Sequence, residues 1–231
     1  MYDKEQIEQF HKNTIEDYNN SLIVEDIVKV NLIEKTDGSF VQIGIRPIIK
    51  EDMFVYKNWH PSLPSIGMDV ANGERDFLIK NILDNKNVKR IIFNKKEISD
   101  FPKHAYDFNK ATILISLDFF MGLHKEFVRR IEYKDHKTIL DYNYNLVFVP
   151  GEIMSGKMII ISEDAILWEK EKFPNEFTEK DEKVDVRVVP AKQFGKVDIT
   201  IRSVNKIKRF DPKLIKILEV REKPKGERID G

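Results

Sequence analysis

Between residues 23 and 47 two β-patterned runs flank a tight turn, and this constrains the fold more than any other stretch of the sequence. Val24, Ile27, Val28, Val30 and Leu32 lead into Thr36, Asp37, Gly38 and Ser39, and Phe40, Val41, Ile43 and Ile45 follow. Asp-Gly at the centre of such a pair accepts the positive φ of a hairpin turn, so the two runs are expected to pair with each other. A two-stranded ribbon cannot bury its apolar side by itself. It needs a partner surface, supplied either by its own domain or by a neighbouring chain.

The other elements follow from periodicity and punctuation. Asp3 can cap a helix running to about residue 19, where Ile7, Phe10, Ile15 and Tyr18 make a broken apolar stripe that reads as an arm and not as a core helix. Residues 52–73 carry Trp59, Pro61, Pro64, Gly67 and Gly73 without a period and read as an irregular connection. A helix is expected at 74–83 and a strand at 88–93. Residues 111–116 read as a buried strand leading into a helix at 118–130 that turns Phe119, Met121, Leu123 and Phe127 inward, with Ile131 just beyond it. Strands are expected at 146–149 and 158–161, with turn chemistry at Pro150, Gly151, Ser155 and Gly156. Residues 169–183 read as a charged linker. Residues 184–189 and 197–204, separated by Gln193, Phe194 and Gly195, alternate as an antiparallel pair with one wet face. The last ten residues are polar and expected to be loose.

Composition narrows the function classes. A chain of 231 residues hides roughly 70–75% of its unfolded surface on folding, so a substantial core is available. Lys plus Arg and Asp plus Glu are both 39, which leaves no net field to draw in nucleic acid or anionic lipid. With no Cys, disulfides, thiolate catalysis and cysteine metal sites are excluded. The apolar runs at 111–115 and 158–161 are far shorter than the roughly 20 residues of a membrane helix. Acidic residues at Glu5, Glu8, Glu16 and Asp17 break any secretion-signal pattern, so cytoplasmic residence is expected.

Motifs that could carry chemistry each have a plainer reading. Gly151 to Lys157 has the spacing of a phosphate-binding loop, yet Met158 stands where Mg²⁺ needs Ser or Thr, and a strand follows where a helix is required. A turn explains it better. A metal-dependent nuclease would use an acidic residue two before a lysine, as in Asp135 with Lys137, Asp181 with Lys183 and Asp211 with Lys213. In a chain that is 34% charged, such triplets arise by chance. The histidines His11, His60, His104, His124 and His136 never reach helical ligand spacing, the nearest pair being twelve positions apart. Residues 205–210, from Asn205 to Phe210, could meet phosphate or protect an exposed strand edge, and edge protection is the better reading. Trp59 and Trp168 read as core or interface anchors. No residue is nominated as catalytic, cofactor-binding or metal-ligating.

Taken in order, these elements resemble the shell-forming fold of tailed-phage (Hong Kong 97-type) major capsid proteins and encapsulins. The residues behind the resemblance are Ala111 to Ser116 leading to Asp118, Phe148 to Pro150 continuing through Gly156 to Ile161, and the closing pattern Gln193 to Gly195, Asp198 to Arg202 and Phe210 to Ile217. The resemblance implies an α+β subunit with an N-terminal helical arm (1–22), an extended β-hairpin loop (23–56), a first part of a peripheral domain (57–107), an apical domain (108–183), and closing strands with a C-terminal tail (184–231). It implies a structural role without enzymatic activity: self-assembly into a closed icosahedral-type particle, a viral or proviral capsid or an encapsulin nanocompartment. The partner is then the chain itself, with protein or DNA cargo, no cofactor, no membrane, and assembly in the cytoplasm. Two other classes stay open at this point, a Mg²⁺-dependent nuclease or nucleotide-binding enzyme and a viral head-completion or adaptor protein.

Overall fold

The computed structural model describes residues 3–21, 23–35, 41–42, 66–94, 104, 107–116, 144–149, 152–175, 177–178, 180–190 and 197–221. The chain divides into two compact units, one of residues 1–80 and 167–209 and one of residues 81–166 and 210–231. The helix expected at 118–130, the turn at 36–39 and the tail beyond 221 lie outside the described residues.

In the first unit, α1 (Lys4–Asn19) opens on a capping box. The Asp3 carboxylate accepts from the Gln6 amide at 2.8 Å and the Gln6 side chain accepts from the Asp3 amide at 3.1 Å, satisfying two orphan donors. His11, Thr14, Ile15 and Tyr18 are buried, an i, i+3, i+4, i+7 stripe. The segment expected as an arm is therefore a core helix. Hydropathy misses it because two of the four buried residues are polar, and Thr14 is satisfied by donating to the Phe10 carbonyl at 2.8 Å.

The second helix, α2, runs over Ile66–Asp84, beginning eight residues before its expected start. Gly67 explains why. A Cβ there would lie 2.3 Å from the Thr14 carbonyl oxygen and 2.7 Å from the Tyr18 nitrogen, so the two helices cross with backbone against backbone. Glycine weakens a helix locally by roughly 0.5–1 kcal/mol relative to Ala, and burial of Ile66, Val70 and Ala71 in the cluster with Ile15 and Tyr18 offsets that loss. The same cluster takes in Val184, Val186, Ile199 and Ile201. These belong to the expected antiparallel pair or its edge: β10 (Asp185–Pro190) and β11 (Val197–Arg202) are in register from Asp185 opposite Arg202 to Pro190 opposite Val197.

A four-stranded sheet completes this unit in the order β1 (Lys29–Ile33), β7 (Ile166–Glu171), β12 (Val204–Phe210), β2 (Val41–Gln42). β1 is parallel to β7, with Val30 opposite Trp168. β2 is antiparallel to β12, with Val41 opposite Asn205. The two runs that the Asp-Gly turn suggested would pair with each other therefore lie, where described, on opposite edges of one sheet. Strands more than a hundred residues away satisfy their backbone groups, which a local turn signal cannot reveal. The charged linker expected at 169–183 is also corrected, since its start is the buried strand β7. Two short strands, β8 (Phe173–Pro174) and β9 (Asp181–Glu182), pair after it.

In the second unit, five strands lie in the order β3 (Lys89–Asn94), β13 (Ile215–Arg221), β6 (Lys157–Ser162), β4 (Ala111–Ile115), β5 (Tyr144–Phe148). β13 is parallel to β3 and antiparallel to β6, and β4 is antiparallel to β6 and parallel to β5. Met158, Ile159, Ile160 and Ile161 are all buried, so both faces of the central strand are covered. One face packs Ile113, Ile115, Met158, Ile160 and Leu218 around Phe108 and Ala111. Lys216 snorkels past that core: its Nζ lies 4.8 Å from the Phe108 ring centre and donates at 2.6 Å to both the His104 carbonyl and Asp107.

Candidate assembly surface and buried polar centre

The sequence motifs for nucleotide or metal chemistry do not come together. After Gly156, which takes a positive φ of 65°, β6 begins at Lys157, so the loop opens a strand and not a helix. Asp181 is held by Lys172 at 2.7 Å, Glu182 by Asn175 at 3.3 Å, and Lys183 by Glu25. Asp211 caps the turn Pro212–Leu214, its carboxylate accepting from the Lys213 amide at 3.0 Å. His11 stacks edge-on against Phe177 at 4.7 Å. The triplet at 135–137, together with Trp59, His60 and His124, lies outside the described residues, and no group of three metal-ligating side chains occurs among those described. β12 lies between β7 and β2, but β2 pairs only with Val204 and Asn205, so beyond Asn205 that side of β12 faces no other strand among the described residues, and Lys208 pairs with Glu169 on β7.

What the sequence reading missed is a cluster of polar groups sealed inside the first unit. Glu74 on α2 is fully buried, and Lys170 on β7 is 2% exposed. The Lys170 ammonium lies 2.7 Å from both Glu74 carboxylate oxygens and also donates to the Tyr18 hydroxyl, which itself donates to Glu74 Oε2 at 2.8 Å. Ser203 donates to Glu74 Oε1, and Asn205 Nδ2 lies 3.3 Å from the same oxygen and 2.9 Å from Ser203 Oγ. Asn205 Oδ1 in turn accepts from the Trp168 indole N–H at 2.9 Å. Burial pulls the Lys170 ammonium below its ordinary pKa, against the opposing pull of Glu74. Burial, followed by the Glu74 charge, pushes the Tyr18 phenol well above its own. The signal for this centre was present but divided. Glu74 falls on the Val70, Ala71, Leu78 stripe only once α2 is known to start at Ile66, and Lys170 hides in a run of charges.

The outer surface offers edges. Among the described residues β3 and β5 border the five-stranded sheet, and each exposes a large apolar side chain, Ile92 at 54% and Phe148 at 42%. β1 borders the four-stranded sheet and exposes Leu32 at 47%. Exposed strand edges with apolar side chains invite pairing with another chain. No helix among the described residues is long and apolar enough to cross a membrane.

No family model matches the chain, and no curated protein matches its sequence. Solved structures do. The virus-like particle from Pyrococcus furiosus is 15% identical with a TM-score of 0.62, and the match covers 93% of this chain and 100% of that one. A phage-related protein from Bordetella bronchiseptica RB50 is 9% identical with a TM-score of 0.51 over 90% and 96% of the two chains. The capsid structure of the cyanophage P-SCSP1u is 9% identical with a TM-score of 0.50 over 88% and 89%. At these identities the likeness is one of fold, and the chain has the fold of virus-like particle and phage capsid proteins, the shell-forming fold that its order of elements resembles.

Proposed function

We propose that this chain is a structural subunit that self-assembles into a closed, icosahedral-type shell, a viral or proviral capsid or an encapsulin-like nanocompartment. The observation that carries this reading is the match in fold over the full length of the virus-like particle chain. The apolar strand edges at Leu32, Ile92 and Phe148 support it, because repeated copies related by closed symmetry can cover such edges. In this reading the second compact unit, which holds residues 108–166 of the stretch expected to be apical, is the apical domain, and the first unit is the peripheral domain. The partner is a second copy of the chain, and the cargo is protein or nucleic acid. Asp181, Lys183 and Asp211 already have structural partners, which supports a non-enzymatic role.

Size-exclusion chromatography followed by negative-stain microscopy tests it. Closed particles of uniform diameter are expected. Monomers or dimers across a range of salt and pH would overturn the shell reading, and rings of fixed number would favour a head-completion or adaptor protein.

A further inference from the structure

We infer that Asn72 is a deamidation site that is shut while α2 is wound and opens when the first half of that helix unwinds, so that modification there records opening of the first unit. Asn72 and Gly73 form the single Asn-Gly pair of the chain. Glycine has no Cβ to hinder the approach of its own backbone nitrogen to the preceding side chain, which makes this dipeptide the most reactive of its kind. Both residues are partly exposed, so water reaches them.

The folded chain withholds the reaction at both reacting groups. Asn72 and Gly73 lie in the interior of α2, where the Gly73 N–H is committed to the carbonyl four residues before it. Ring closure also needs ψ of Asn72 to leave the helical value of about −42°. The Asn72 side chain is tethered as well. Its Oδ1 accepts from an Arg75 guanidinium N–H at 2.7 Å, and Arg75 is buried and held in turn by Asp76 at 3.0 and 2.8 Å. Unwinding of α2 between Ile66 and Arg75 removes these restraints together.

The Gly73 nitrogen then adds to Asn72 Cγ. The Cγ–Nδ2 bond breaks, and ammonia leaves with the two Nδ2 protons and the one from the Gly73 nitrogen. Water opens the resulting succinimide ring, its hydroxyl joining the attacked carbonyl carbon and its other proton returning to the Gly73 nitrogen. Addition at Cγ gives aspartate, whereas addition at the Asn72 backbone carbonyl carbon gives isoaspartate, with the chain continuing through Cγ. The two products differ in whether α2 can re-form. Aspartate keeps the backbone unchanged and offers Arg75 a charged acceptor. Isoaspartate adds one carbon to the main chain between Ala71, which packs in the cluster with Ile15 and Tyr18, and Glu74, which is sealed against Lys170 and Ser203. The two neighbours cannot then both reach their places, so a chain carrying isoaspartate does not return to the fold.

Peptide mapping by mass spectrometry, with fragmentation that separates aspartate from isoaspartate, tests the proposal on the full-length chain in mildly alkaline buffer, one portion folded and one unfolded in urea. In urea, deamidation at Asn72 is expected to lead that at every other asparagine. In the folded portion it is expected to run at least about 100-fold slower. When the urea is removed, isoaspartate is expected to be confined to the fraction that fails to refold, while aspartate enters the folded fraction. The Gly73→Ala chain, compared with wild type in urea, where neither has to fold, is expected to lose most of the reaction at Asn72. Comparable rates in the folded and unfolded chain overturn the proposal. So does another asparagine leading in urea, an equal share of isoaspartate in the two refolding fractions, or a Gly73→Ala chain that reacts as fast as wild type. Each measurement is made on the single chain, so the outcome is independent of whether particles form.

Discussion

Lys170 and Glu74 place two ionisable groups in the interior of the first unit, and each depends on the other. Removing one partner of a buried pair strands the other charge, at a cost of about 3–5 kcal/mol. Chemical denaturation of Glu74→Gln and of Lys170→Met is therefore expected to show a loss of that order in each. The double variant is expected to lose less than the sum of the two, because no lone charge remains. Alkaline pH probes the same centre. Tyr18 has a folded pKa raised above its ordinary value near 10, so it contributes stability that is present below about pH 10 and lost as pH rises through the folded value. Lys170 acts in the opposite sense. Its folded pKa is lowered, so its term raises stability as pH climbs from that folded value to about 10.4 and then levels off. Denaturation followed between pH 8 and 12 is expected to show a decline above about pH 10 that is shallower in Tyr18→Phe. The tyrosinate absorbance that distinguishes wild type from this variant is expected to appear only as the protein unfolds.

At the scale of elements, the α1–α2 crossing depends on Gly67. A methyl group there has backbone on two sides, neither of which can move as a flexible side chain would. Gly67→Ala gains helix propensity but forces the helices apart, and overpacking of this kind costs about 1–3 kcal/mol. A melting curve is expected to show a net drop in Tm, whereas a rise would mean that the crossing can relax. The helices and strands differed in how far they could be read. The β10–β11 pair was legible because it is local and alternates apolar with polar residues. The first eight residues of α2 were not, because glycine at 67 and 73 carries the same letter whether it breaks a helix or lets another helix approach. β7 was hidden for a related reason: Glu169 and Lys170 look solvated until Lys208 and Glu74 are found beside them.

For the whole molecule, the exposed sheet edges allow folding to be tested apart from the proposed assembly. Ile92 is more than half exposed in the isolated chain, so replacing it leaves the core of the five-stranded sheet intact. A lysine on an edge strand disfavours pairing with another chain. Ile92→Lys is expected to keep the circular dichroism spectrum and melting transition of wild type while reducing the fraction of chain that elutes as particles. Unchanged assembly would remove this edge from the set of contacts between subunits. The phosphate-loop spacing and the acidic triplets have plainer readings in the sequence, and the structure agrees where it describes them: a strand follows Gly156, and Asp181, Lys183 and Asp211 each already have a partner.

By itself, the sequence determined the α+β class, strands read at 111–116 and 158–161 where the structure has 111–115 and 157–162, the antiparallel pair near the C-terminus, and an order of elements that resembles phage capsid proteins. These are properties of local periodicity and turn chemistry, which act over a few residues. Only the tertiary structure decided which strands are neighbours, why Gly67 lies within a helix, and that Glu74, Lys170 and Asn205 meet in one dry centre. Those outcomes depend on contacts between segments separated by up to about half the chain and more, and no local pattern encodes a partner at that distance.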